Sequence, residues 1–165
     1  MEIDTLFGLP AHPLVVHAAV VLLPLAAIGL VVVAAIPRAR RLYAPIVLGI
    51  ALAATVAVGL AQQSGEALED RVTETELVEE HAEQGETVLP WAIAVTVMSA
   101  LVAAEPYARA RLGRLSPLAV TTVLVGASLI VAVAATWTVI DVGHSGAQSV
   151  WSDAPGDVSD DDDDD

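Results

Sequence analysis

The sequence predicts an all-α integral membrane four-helix bundle, and three observations predict it. Four apolar stretches of 17 residues or more contain no charged side chain. Apolar residues make up 55% of the 165 positions and charged residues 17%, with mean hydropathy +0.66, where soluble domains average near 45–50% and 25%. Six of the seven basic residues fall in two short connections between those stretches. A soluble globular enzyme is excluded on these grounds. The stretches must be helical, because lipid cannot satisfy open backbone groups and four segments are too few to close a barrel.

The elements follow in order. The first span runs from about residue 14 to 36 and is closed by Pro37; the second covers about 45–61. The third covers about 88–104, ended by Glu105-Pro106, and the fourth about 117–140, ended by Asp141. About 20 residues are needed to cross the hydrocarbon, so the polar flanks of the second and third spans are expected to continue their helices. Residues 1–151 form one transmembrane domain on this reading. The first span is expected to be retained rather than cleaved, since Glu2 and Asp4 precede it with no base and signal peptides begin with positive charge. Pro24 stands mid-span, where it deprives the Val20 carbonyl of its partner and predicts a kink.

The connection from Gln62 to Thr87 carries nine acids. Its apolar residues Leu68, Val72, Leu77, Val78 and Ala82 recur with a helical habit. Thr73-Glu74-Thr75-Glu76 reads as a capping box with Thr73 at the N-cap. An acidic helical hairpin is expected here, its second helix loosened by Gly85 and Pro90. Residues 152–165 hold eight aspartates with Pro and Gly, a composition that predicts a disordered acidic tail. No internal repeat is obvious. In the second span Gly49, Ala53, Ala57, Ala61 and Gly65 stand four apart, a small-residue row that predicts close packing of a neighbouring helix.

Charge sets the orientation. Arg38, Arg40 and Arg41 separate the first two spans, and Arg109, Arg111 and Arg114 the last two. By the positive-inside rule these turns are cytoplasmic, which puts both termini and the acidic hairpin outside the cell membrane. Tyr43 and Tyr107 then mark the inner interface and Trp91, Trp137 and Trp151 the outer one. The net charge of −14 argues against nucleic acid as a partner and resembles the surface chemistry of a halophile.

Composition also limits the chemistry. The chain has no Cys and no Lys, so disulfides, thiolate metal sites, covalent c-type haem, P-loop lysines and Schiff bases are excluded. No HExxH motif or Ser-His-Asp spacing is present; nothing marks the chain as an enzyme by itself. No Asp, Glu, Lys or Arg lies inside the four spans, which argues against a pump, an ion-coupled transporter or a voltage sensor.

The histidines remain. His12, His17, His81 and His144 all fall at or just below the outer face. Paired imidazoles across a bundle are what bis-histidine haem b ligation requires, and a His–carboxylate metal site is the other option. The candidate cofactor residues are His17, His81, His144 and His12, with Arg71 placed to meet haem propionates. The candidate metal ligands are His17, His81, His144 and Asp141, the last three residues ahead of His144 on one helix face. At 1.5 Å per residue His17 lies roughly 5 Å below its apolar edge, His144 roughly 5 Å above its own and His81 roughly 10 Å above, so His17 meets His144 more easily than His81. The competing readings are structural: His12 as an N-cap before Pro13, His17 bonded to a carbonyl freed by the Pro24 kink, and Arg71 paired with Glu69, Asp70 or Glu74.

The opening His12-Pro13-Leu14-Val15-Val16-His17, the histidine ahead of the third span and the Gly-rich, aromatic-ended segment after the fourth resemble an uncharacterised membrane-protein family, domain of unknown function 2231, over roughly residues 9–152. That family often continues the opening with Phe-Pro, where this chain has Ala18-Ala19. Its closing segment commonly reads Gly-Gly-x-Leu-Val-Tyr, here Ser145-Gly146-Ala147-Gln148-Ser149-Val150-Trp151. The resemblance implies a four-helix membrane protein with His12, His17 and His81 as the family-pattern histidines. Some relatives carry a fused Rieske-type domain, which implies redox company.

The expected function is therefore a redox-associated membrane protein, binding haem b or a divalent metal through histidines near the outer face and serving a redox partner protein. The alternatives are a structural or partner-binding membrane subunit without cofactor, and an outer-face divalent-cation sensor built on the acidic hairpin.

Overall fold

A computed structural model describes residues 5–6, 9–69, 75–112 and 116–151. Among the described residues the secondary structure is helical apart from one short pair of strands: β1 (Thr5–Leu6) and β2 (Leu9–Pro10) run antiparallel, with Leu6 opposite Leu9. The helices are α1 (Ala11–Ala35), α2 (Pro37–Glu69), α3 (Glu76–Glu86), α4 (Val88–Leu112) and α5 (Pro117–Trp151). Four of the helical stretches are long and apolar enough to cross a membrane. The neighbours in the bundle run α1, α2, α4, α5 and back to α1, and α3 lies against the end of α5.

The interior is made of small side chains and the surface of large ones. Ala26, Ala27, Ala51, Ala54, Ala92 and Ala135 are fully or almost fully buried, beside Leu23, Leu30, Val95 and Val102. Val21, Ile28, Val56, Val123, Ile130 and Val133 are each more than 60% exposed. Water would oppose that arrangement, whereas lipid is as apolar as leucine and helices there associate through close backbone approach. Gly29 is one such approach: a Cβ added to it would stand 3.0 Å from Val47 Cγ2.

The small-residue row of α2 does not form one seam. Ala57 is buried, but Gly49 and Ala53 are exposed, and a Cβ at Gly49 would meet nothing within 4 Å. The reason is geometric. A step of four residues overshoots a 3.6-residue turn by about 40°, so a row of five drifts to the other side of the helix. The buried face of α2 is instead Ala44, Val47, Ala51, Ala54 and Val58.

The helices extend beyond the apolar stretches. At 1.5 Å per residue α2 and α5 are each about 50 Å long against about 30 Å of hydrocarbon. Helix α1 runs unbroken through Pro24, and α2 and α4 contain Pro45 and Pro106. Ile36 alone separates α1 from α2, with Pro37 at the first helical position of α2, where its missing N–H costs nothing. Among the described residues of the Gln62–Thr87 connection, α2 continues to Glu69 and a separate α3 follows. The N-cap of α3 is Thr75, whose hydroxyl accepts from the Val78 amide at 3.3 Å. Thr73 lies outside the described residues, so the capping box read from the sequence gives way to a cap two residues later. Thr87 interrupts the helix between α3 and α4, its amide and hydroxyl both donating to the Gln84 carbonyl at 3.0 and 2.6 Å. The tail, residues 152–165, lies outside the described residues.

The bundle thus has two unlike ends. At one, α1 and α4 finish and α2 and α5 begin; it carries the arginines. At the other, the tips of α2 and α5 stand with the start of α1 and all of α3; it carries the histidines.

Candidate functional site

Among the histidines, His12 stands near enough to His81 to be a cause of its lowered pKa. His12 lies in the first turn of α1, one residue inside the helix start at Ala11; it is not the N-cap. Its Nδ1 reaches across to α2, 3.0 Å from the Ala61 carbonyl and 3.2 Å from Ser64 Oγ. Ser64 Oγ donates its own proton to the Ala61 carbonyl at 3.1 Å. Both partners therefore need a donor, and Nδ1 must carry the ring proton.

His81 repeats this arrangement on the other half of the chain. Its Nδ1 lies 3.1 Å from Ser145 Oγ of α5, and that hydroxyl donates to the Val142 carbonyl at 3.1 Å. Nδ1 again holds the proton. In both rings Nε2 is left as a lone-pair acceptor, with no hydrogen bond among the described residues.

A glycine follows each serine and makes room for the ring. A Cβ at Gly65 would stand 3.1 Å from His12 Cε1, and one at Gly146 would stand 2.8 Å from His81 Cε1. The Ser-Gly pair occurs as Ser64-Gly65 and as Ser145-Gly146. Each half also places a glutamate-bonded arginine 28 residues after its histidine, Arg40 after His12 and Arg109 after His81. The 28-residue spacing and the Ser-Gly pair are the sequence signals for the site, while the histidine-to-serine separations differ, 52 and 64 residues. They went unread because the repeat is carried by a few polar positions, with no similarity in the apolar residues between them.

His81 is half-buried, and its pKa is lowered. Burial is the first cause and nearby His12 the second; the Val142 backbone opposes them. Helix α3 carries five glutamates, a composition that belongs outside the hydrocarbon. Burial thus favours the neutral imidazole of His81, the form that ligates a metal. One turn further along α3, Gln84 donates through Nε2 to the Glu80 carboxylate at 3.1 Å. That contact requires the amide's NH2 group on the Glu80 side. Its Oε1 is left buried and without a partner among the described residues. Gln62 Nε2 donates to the Gly85 carbonyl at 3.0 Å and ties α2 to α3 beside them.

The other predicted residues stand apart. His17 is exposed, its Nδ1 bonded to the Pro13 carbonyl one turn back and not to the carbonyl freed by Pro24. His144 and Asp141 are both exposed on α5. The expected meeting of His17 with His144 rests on axial heights alone; both rings are exposed, and heights along helix axes carry no information about which face each ring occupies. Arg71 lies outside the described residues. Among the described residues no three His, Cys, Asp or Glu side chains converge as a metal site would require.

Residues 8–158 match the model of a family described as Predicted membrane protein (DUF2231). The chain belongs to this family. The match takes in both histidine–serine–glycine units and all four spans. No curated protein and no solved structure matches the chain.

At the opposite end Arg40 is fully buried. Its Nε donates to the Val33 carbonyl at 3.3 Å and Nη2 to the Ala34 carbonyl, closing the C-terminus of α1, where orphan carbonyls and the helix dipole both favour a cation. Nη2 also reaches Thr121 Oγ1 of α5 at 3.3 Å, and Nη1 lies 3.1 Å from Glu105 Oε2 of α4. One side chain of α2 thus binds the three other long helices. Glu105 Oε1 meanwhile accepts from Arg109. In the sequence Arg40 is one of three arginines in a short connection, and its charge alone does not distinguish it from Arg38 and Arg41.

Proposed function

We propose that this DUF2231 protein carries a redox centre at its histidine end, with His12 and His81 as ligands through Nε2. The observation that supports the reading most is the shared tautomer. Histidines that ligate metal usually donate their second ring N–H to a carbonyl or similar acceptor, which orients the ring and raises its basicity, and both rings do so here.

The ligand count favours haem b over a free divalent ion. Two imidazoles complete an iron whose other four donors come from the porphyrin, while a protein-held zinc site takes three or four protein ligands. The iron would supply one-electron chemistry; the chain's own residues would orient the axial imidazoles and keep His81 neutral. By the positive-inside rule the arginine-rich turns would face the cytoplasm; both termini and the histidine end would then lie outside, where the protein would exchange electrons with a partner protein. The test is a reduced-minus-oxidised absorption spectrum of the full chain purified in detergent, with elemental analysis. Soret and α bands are expected. Neither bands nor stoichiometric metal would contradict the proposal.

A second reading has its own support. The same hydrogen bonds tie α1 to α2 and α3 to α5, the work of polar residues in a structural or partner-binding subunit without cofactor. It predicts that His12→Ala and His81→Ala lower stability while no absorbing or metal-bound form exists to be lost.

A further inference from the structure

The arginine end carries more positive charge than its one acid can match. The two turns and their flanks hold six arginines and a single glutamate, Glu105. That glutamate is fully engaged: Oε2 faces Arg40 and Oε1 accepts from Arg109. Two guanidiniums sharing one carboxylate leave the triad with one positive charge over. Arg40 is closed off by its carbonyl and hydroxyl partners. Arg109 is not, since its side chain is 36% exposed and Nη1 has no partner among the described residues. Arg38 and Arg41, one turn apart on the first turns of α2, are exposed and form no ion pair among the described residues.

The depth of this patch decides what can neutralise it. Leu42, Tyr43 and Ile46 follow Arg41 directly and are exposed, as is Tyr107 next to Arg109 on α4. These are the lipid-facing and interfacial side chains of a membrane-spanning helix end. The arginines therefore stand at headgroup level, where the abundant anion is a phospholipid phosphate, an acceptor that a guanidinium binds in a two-bonded fork. Basic surfaces at helix ends on the arginine-rich side of a membrane attract anionic lipid by about 1 kcal/mol per base.

We propose that the arginine end binds the headgroup of an anionic phospholipid, with Arg109 as the anchor and Arg38 and Arg41 as outer contacts. Glu105 positions Arg109 and does not itself touch the lipid. The experiment uses the full chain in a neutral detergent, with phosphatidylglycerol, phosphatidylcholine or inorganic phosphate added, and reads thermal unfolding together with lipid retained in native mass spectrometry. Phosphatidylglycerol is expected to raise the midpoint by about 3 °C and to stay bound, with little effect of phosphatidylcholine. The double variant Arg38→Gln/Arg41→Gln changes only exposed side chains and is expected to fold normally and lose at least half of that shift. Arg109→Gln is expected to abolish retention. An equal response to the two lipids, an equal shift with inorganic phosphate, or full retention by all the variants would overturn the proposal.

Discussion

The two ends of the bundle handle buried polar groups in opposite ways. At the arginine end Arg40 spends Nε and Nη2 on two carbonyls and a hydroxyl, and its Nη1, buried without a hydrogen bond, is matched by charge against the Glu105 carboxylate at 3.1 Å. At the histidine end acceptors are left over: the buried Oε1 of Gln84, and Nε2 of the part-buried His12 and His81, which make no hydrogen bond among the described residues. Buried polar atoms are nearly always paired. A network satisfied within the chain reads as structure. One with surplus lone pairs reads as a place where something else supplies the positive partner.

The largest expected effect tests the closed end. Arg40→Ala removes the C-terminal cap of α1 and the ties to α4 and α5, and it leaves Glu105 with one partner. Breaking a buried pair costs about 3–5 kcal/mol, so the variant should unfold far below the parent temperature in detergent. A loss under about 1 kcal/mol, the worth of a surface pair, would show that the arginine end is not the anchor of the bundle.

A smaller effect separates two glycines that look alike in the sequence. Gly146→Ala forces a methyl to within 2.8 Å of His81 Cε1, and overpacking of this kind costs about 1–3 kcal/mol. Gly49→Ala meets no atom within 4 Å, and in an exposed helix interior it should be neutral or stabilising by up to about 1 kcal/mol. Thermal unfolding of the two variants side by side checks the contrast. Equal effects would mean that the glycine at position 146 is not there to admit the ring.

The gentlest test is pH. His81 in the folded protein titrates below its ordinary value of 6.5, so the unfolded chain binds the additional proton first. Stability is therefore full above pH 6.5 and falls as the pH drops toward the depressed folded value. His81→Gln should flatten that part of the profile of the cofactor-free protein. A profile unchanged by the substitution would place the acid sensitivity elsewhere.

What could be read in the sequence divides along the same line. Four membrane spans are a local property, written in runs of Val, Leu, Ala and Ile, and they are present as four long helices. Which polar residues meet is not local. Ser64 lies 52 positions from His12 and Ser145 lies 64 from His81, and neither serine is distinctive alone. Arg40 is one of three neighbouring arginines, and it shares the buried face of α2 with Ala44, Val47 and Ala51 while Arg38 and Arg41 stay exposed. The four-residue row of α2 misled for a related reason, since a period of 4 in sequence is not a face of a 3.6-residue helix.

The measurement that bears most directly on the histidine end is the reduced-minus-oxidised spectrum of four single variants purified alongside the parent. With His12 and His81 as the ligands, His12→Ala and His81→Ala lose the haem bands, while His17→Ala and His144→Ala keep them. Bands that survive both His12→Ala and His81→Ala, or that vanish with His17→Ala, would contradict the account.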